Sequence, residues 1–168
     1  DIRDPGPAHD LLGAVEEYRA RGALLASHPD LLAPETCAMM VAGQAATADD
    51  IAAARAVSVE TTSRMRDFMA GRDIFILPAT ACPAFPLRQP PIMIGGRTVR
   101  PDWPSYAPFN MLANITGFPV ATLPMGLSAD GLPVGALAFA GFGRDDLLLA
   151  ALAEAEALRG PFPAAPFT

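Results

Sequence analysis

The chain has 168 residues, a net charge of −6 and 51% hydrophobic residues, enough for one domain with a real core and too apolar for a disordered segment. Its twelve basic residues are all arginine, against eighteen acids. An acidic chain without lysine argues against nucleic acid and against anionic membrane surfaces, both of which need clustered cations.

In chain order, residues 8–27 carry Leu11, Val15, Tyr18 and Leu25 at roughly helical spacing, with Glu16, Glu17, Arg19 and Arg21 on other faces. Residues 30–43 hold a shorter helix, with Pro34 in its first turn and Gly43 expected at its end. Thr47 followed by Asp50 has the spacing of a capping box. A long helix should run from there to about Ala70, with Ile51, Ala54, Val57, Thr61, Met65 and Phe68 inward and Gly71 closing it.

Residues 73–77 form an almost unbroken apolar run, as in a strand covered on both faces, and Pro78 ends it. Residues 78–109 show little periodicity, and a stretch that long inside a compact fold is usually functional or mobile. A short helix is expected over 107–115 and strands over 120–123 and 134–139. Asp130-Gly131 supplies a turn between them, so a hairpin is the simplest pairing. The last helix, 144–159, has Asp145 and Asp146 in its first turn, a stripe of Leu148, Ala151, Leu152, Ala155 and Leu158, and Gly160 after it. The Pro/Phe-rich tail beyond is expected to be irregular. Helices, then a strand, a long loop, two strands and a helix make an α/β chain with a mixed sheet, read as a single domain with a helical part (8–70) and a strand-loop-strand-helix part (73–160).

Several chemistries find no support in these residues. Ser27, Ser58, Ser63, Ser105 and Ser128 stand in no Gly-x-Ser-x-Gly elbow. His9 and His28 lie in the helical half, apart from any nucleophile, and no His/Cys/Asp spacing suits a metal. No cofactor is implied: Gly141-Phe-Gly143 lacks the third glycine of a dinucleotide loop and reads as a strand-to-helix turn. Two cysteines, Cys37 and Cys82, make no disulfide scaffold, which points to a reducing cytoplasm. No apolar run approaches membrane-spanning length, and no secretory signal is present. Cys82 follows the strand end at Pro78, on a loop placed to face a cleft. It reads either as a pocket-lining thiol or as a small buried hydrophobe, and with no lysine in the chain and no histidine nearby, nucleophilic chemistry is not expected of it.

Two motifs then carry a resemblance. Asn114-Ile-Thr-Gly117-Phe-Pro119-Val-Ala-Thr-Leu-Pro124-Met-Gly126 is followed by Asp130-Gly-Leu-Pro-Val-Gly135, and both follow Asp73-Ile-Phe-Ile-Leu-Pro78-Ala-Thr80. From Asp73 to Gly143 the chain resembles the C-terminal part of amidase-signature hydrolases, and the helical half fits that family more loosely. The resemblance implies one lobe of an α/β/α sandwich. It also implies that the family's Ser–cis-Ser–Lys triad and Gly/Ser-rich segment, which hydrolyse amides through an acyl-enzyme, belong upstream of this region. Neither is in the chain, so the chain is expected to be the back portion of an amidase, inactive alone.

The resemblance makes the variable loop, Ala81 to Asn110, a determinant of the acyl pocket for a small-molecule amide. Cys82, Trp103, Tyr106, Phe109 and Asn110 are the expected substrate-binding residues, and the aromatics suit an apolar or aromatic acyl group. Glutamine-using relatives carry an acid shortly before the Asn-x-x-Gly-x-Pro motif. Tyr106 to Asn110 has none, which favours a general amidase. Three readings stand: part of an amidase, a stand-alone binding module on the same scaffold, or a subunit completing a site with another chain. Strands with the composition of a buried sheet imply self-association or pairing with the missing N-terminal half.

Overall fold

The computed structural model describes residues 4–162; the expectation for the tail lies largely outside them. The chain divides into two compact units, residues 1–65 and 66–168, close to the helical and strand parts expected, and each is described by itself.

The first unit is helical. α1 (Gly6–Ser27) begins with a proline in its first turn, and His28 ends it by donating its N–H to the Leu24 carbonyl at 2.8 Å. A single 3-10 turn, Pro29–Leu31, leads to α2 (Pro34–Ala45), so the second helix starts at Pro34 and not at Asp30. Gly43 does not terminate it. That glycine is buried in the contact between α2 and α1, where a Cβ would come within 2.0 Å of the Ala14 carbonyl oxygen. The signal taken for a helix stop is therefore a place where two helix backbones touch.

α3 (Ala48–Met69) opens on the expected capping box. The Thr47 hydroxyl accepts from the Asp50 N–H at 3.2 Å, and the Asp50 carboxylate accepts from the Thr47 N–H at 3.0 Å, which satisfies two of the helix's orphan donors. The Thr47 hydroxyl, also donating to this carboxylate, holds Asp50 below the usual carboxylate range, and the Thr47 N–H adds to the effect. Ala54, Thr61, Met65 and Met69 form the buried stripe of α3. Phe68 is turned outward from it, and its ring meets Phe75 edge-on at 4.8 Å. Gly71 follows in the left-handed conformation, φ 74°.

The second unit is built on a three-stranded sheet of order β1-β5-β4, where β1 is Ile74–Pro78, β4 Val120–Leu127 and β5 Pro133–Ala140. Every pairing in it is antiparallel, so a parallel strand of a mixed sheet is not among the described residues. β4 and β5 are the expected hairpin, each longer than the apolar runs suggest. Gly131 takes φ 76° in the turn that the Ser128 N–H closes onto Leu132.

One sheet face carries Ala138 and Ala140, which pack with Leu148 of α6 (Asp145–Arg159), with Ile74, Ala121 and Leu152 around them. The next residue of β5, Phe139, is fully buried and lies 6.2 Å from the ring of Phe75. Two expectations fail on this unit. β1 is an edge strand and is not covered on both faces: Ile76 is 61% exposed. Leu158, placed on the inner stripe of α6 by its spacing, is 90% exposed, because the sheet contact is confined to the helix's first turns.

Residues 79–109 are not structureless. They contain a two-stranded hairpin, β2 (Met93–Ile94) with β3 (Arg97–Thr98), and one turn of helix, α4 (Trp103–Tyr106). α5 (Asn110–Thr116) begins three residues later than the spacing predicts and ends at Gly117.

Candidate functional site

The loop leaving β1 is tied down at once. The Ala79 N–H donates to Gly135 of β5 at 3.0 Å, and the Thr80 hydroxyl donates to the Cys82 carbonyl at 2.8 Å. The Ala81 N–H then reaches the carbonyl of Tyr106 at 2.8 Å, which brings the Cys82 loop against α4, twenty-odd residues on in the chain.

α4 is short, and side chains specify it. Asp102 caps it, accepting from the Ser105 N–H at 3.2 Å and from the Ser105 hydroxyl at 2.7 Å. Arg100 closes on the other carboxylate oxygen with Nε and Nη2, both at 2.7 Å. The Ser105 hydroxyl first, and the Arg100 hydrogen bond after it, hold the Asp102 carboxyl below its usual range. Sequence reasoning had missed this cap, although Asp102-Trp-Pro-Ser105 has the cap spacing with proline in the first turn.

Tyr106 is the hub of the loop. Its ring lies 5.0 Å from that of Phe85, and its hydroxyl donates to the Pro91 carbonyl at 3.3 Å, at the foot of the β2–β3 hairpin. Burial pushes the Tyr106 phenol up, and the nearby Asp102 and Cys82 push the same way. Cys82 and Tyr106 are thus neighbours, both half-buried.

The other expected site residues stand as follows. Phe109 is half-buried at the start of α5, and Asn110 is its first residue. The Asn110 side-chain oxygen is buried and finds no hydrogen-bond partner among the described residues. Trp103 is 61% exposed, so the fold does not draw it into the aromatic cluster with Tyr106 and Phe85. Among the described residues no group of three or more His, Cys, Asp or Glu side chains is placed to hold a metal ion.

The Asn114–Pro119 motif has its own geometry. Gly117 adopts φ 68° and ends α5, its N–H donating to Ala113 at 2.9 Å. The Thr116 hydroxyl donates to Leu112 at 2.6 Å, and Phe118 swings under into the core, edge-on to Phe142 at 6.0 Å. Asn114, Gly117 and Pro119 line an open groove of about 470 Å³ together with Phe142, Gly143 and Asp145 at the head of α6. The Gly141-Phe-Gly143 segment is the strand-to-helix turn expected, closed by the Arg144 N–H on Gly141 at 2.9 Å. The sequence held both walls of this groove, but nothing in it said that they meet.

Known proteins place this architecture. The amidase family model matches residues 14–149, and the chain belongs to that family. The match reaches well into the helical half, where the motifs alone were weak. Over 117 residues the chain is 37% identical to an acylamidase of Rhodococcus erythropolis, covering 67% of this chain and 24% of that protein. Over 48 residues it is 44% identical to the 6-aminohexanoate-cyclic-dimer hydrolase of Paenarthrobacter ureafaciens, covering 29% of this chain and 10% of that one. A crystal structure of an amidase superposes with a TM-score of 0.85 at 24% identity, covering 95% of this chain and 36% of the other, which shows the fold. The chain thus spans about a quarter of the length of the acylamidase it matches.

Proposed function

We propose that these 168 residues form the acyl-pocket side of an amide hydrolase whose serine nucleophile and lysine base are supplied by polypeptide outside them. The observation that carries this reading is the amidase match over residues 14–149 in a chain with no lysine. A Ser–cis-Ser–Lys mechanism needs an amine to take the serine proton, and an arginine guanidinium stays protonated and cannot. The chain contributes walls and shape instead. Cys82 and Tyr106, held together through Ala81, form one side of the pocket, with Phe109 and Asn110 beside α4 and Trp103 at its outer rim. An apolar or aromatic acyl group suits that lining, to which the Phe85–Tyr106 ring pair contributes. The names of the acylamidase and of the cyclic-dimer hydrolase support carboxylic amides as the substrate class.

No described helix is long and apolar enough to cross a membrane, and both cysteines are free, which supports a reducing cytoplasm as the place of action. A second reading, a binding module or subunit that completes its site with a separate chain, rests on the same absence of lysine.

The test is hydrolysis. The chain alone is expected to release no ammonia or amine from aliphatic or aryl amides. Joined or mixed with a polypeptide carrying the family's Ser–cis-Ser–Lys portion, it is expected to do so, and Tyr106→Ala should then raise KM for aryl acyl groups. Turnover by the chain alone, lost on replacing one of its serines or cysteines, would sink the proposal.

A further inference from the structure

We infer that Asp102 is a positioning residue for the acyl pocket: by capping α4 its carboxylate fixes Tyr106 beside Cys82, and so sets the preference for aryl over small alkyl acyl groups. The inference rests on the proposed function, because it assigns the specificity of the same pocket to a residue that acts through Tyr106.

α4 is four residues long, and a turn that short does not hold itself, since fixing its dihedrals costs more than its first hydrogen bond returns. Its two ends are unequal. At the C-terminal end Ala107 is fully buried, and its N–H closes the turn on the Trp103 carbonyl at 2.9 Å. At the N-terminal end Trp103 and Arg100 are both exposed, so little packing holds the chain there. The Asp102 side chain holds it instead. The Ser105 N–H is shared between the Asp102 carbonyl and carboxylate, both at 3.2 Å, and the Ser105 hydroxyl adds a bond of 2.7 Å to the same carboxylate oxygen. Pro104 presets its own φ for the turn but has no N–H to donate.

Tyr106 is the last residue of this turn, and each of its contacts depends on the direction in which the turn delivers it. Its carbonyl accepts from the Ala81 N–H, its ring lies 5.0 Å from that of Phe85, and its hydroxyl donates to the Pro91 carbonyl at 3.3 Å. Ala81, Phe85 and Pro91 lie outside any helix or strand, so they follow Tyr106 more than they fix it. Loss of the cap frees residues 103–105, and the wall against which an aryl ring packs is lost with them. The hydrolytic groups, supplied from outside the chain, are untouched. A change of that kind raises KM and leaves kcat. The ion pair with Arg100 is a separate matter. Its guanidinium stands in solvent, where an ion pair contributes little, so the cap and not the charge carries the effect.

The experiment separates cap, charge and fold. With the chain joined to a Ser–cis-Ser–Lys portion, ammonia release from benzamide and from propionamide is followed in the parent, Asp102→Ala, Asp102→Asn and Arg100→Gln. Asp102→Ala is expected to raise KM for benzamide about fivefold, with kcat and the propionamide KM unchanged. Asparagine caps a helix as well as aspartate does, so Asp102→Asn should keep the parent's benzamide KM, and Arg100→Gln should keep it too. Ser105→Ala, which removes one of the two side-chain bonds, should fall between the parent and Asp102→Ala.

A second readout needs no turnover. In a Cys37→Ser background Cys82 is the only thiol, and its alkylation by iodoacetamide reports on the Ala81–Tyr106 tether in the 168-residue chain itself. Asp102→Ala should speed that labelling about fivefold, and Asp102→Asn should leave it unchanged. Both substitutions remove the charge, so acceleration in both assigns the effect to electrostatics at the thiol and overturns the inference. Unchanged labelling in Asp102→Ala overturns it as well, as does a loss confined to kcat or equal for the two amides. Circular dichroism checks the fold; if Asp102→Ala loses it, Ser105→Ala decides by the same two readouts. A joined parent that hydrolyses neither amide removes the functional reading, and labelling then decides the positioning alone. A parent that hydrolyses both, with a KM indifferent to Asp102→Ala, keeps the functional reading and removes the inference.

Discussion

Gly43 lies inside α2 and Gly117 at the end of α5, and each is glycine for a different physical reason. Gly43 has ordinary helical backbone, and what forbids a side chain there is another helix: the Ala14 carbonyl would sit 2.0 Å from a Cβ. Gly117 has room, since the nearest atom to a Cβ would be the Phe142 ring at 3.9 Å, but its φ of 68° is one that L-residues rarely adopt. The helical unit is thus specified by how closely two backbones approach. The sheet unit is specified by how sharply the chain turns between elements, with buried aromatics filling the space between them. The first kind of constraint fails by collision and the second by local strain, and the two differ in cost.

The comparison can be tested by substitution. The largest loss is expected from the aromatic filling of the sheet unit. Phe139→Ala removes a fully buried ring, and denaturant unfolding should show about 3–5 kcal/mol of destabilisation. If Phe139→Ala instead costs less than the helix-contact change, the sheet unit is not held by its core. Gly43→Val should cost about 3 kcal/mol or more, because backbone cannot yield as a side chain does. A compensating Ala14→Gly should recover little of it, since the clash is with the carbonyl and not with the Ala14 side chain.

Gly117→Val is expected to cost more than about 1 kcal/mol through the φ penalty alone. Gly117→Asn, which tolerates the left-handed region, should recover part of that loss. A neutral Gly117→Val would mean that the turn re-forms, and the contrast with Gly43 would then be of steric origin throughout.

The smallest effect is expected at the capping box. Thr47→Val should lower the urea midpoint slightly at neutral pH. Its pH dependence has a definite sign. The folded state lowers the Asp50 pKa, so the stability it adds is present above the unfolded carboxylate value and is lost as pH falls through the folded one. The gap between the parent and Thr47→Val should therefore narrow on acidification from about pH 7 toward about pH 2. A gap that widens would refute the bond as the source.

The elements themselves were legible because they are local. The 3.6-residue spacing of α1 and α3, the Thr47–Asp50 box, the Gly131 turn and the left-handed Gly117 all follow from residues within a few positions of one another. Gly43 was misread because a glycine near a helix end and a glycine at a helix crossing look alike in one dimension. Ile76 and Leu158 were misplaced for a related reason. Apolar spacing says that a side chain suits burial, and only the extent of the neighbouring element says whether anything arrives to cover it.

Of the candidate site, the sequence pointed to the loop and to Cys82 and Tyr106 without showing that the fold makes them neighbours. Their proximity comes from one hydrogen bond, Ala81 to Tyr106, across a stretch whose length no periodicity constrains. Trp103 was grouped with the other aromatics by composition, and the fold leaves it largely in solvent. By itself, then, the sequence determined the helices, the hairpin, the family and the want of a lysine base, since these reside in short-range spacing and in residue identity. The tertiary structure alone decided which glycine separates helices, which apolar residues remain uncovered and which strands stand at the sheet's edges, because those depend on contacts between residues far apart in the chain.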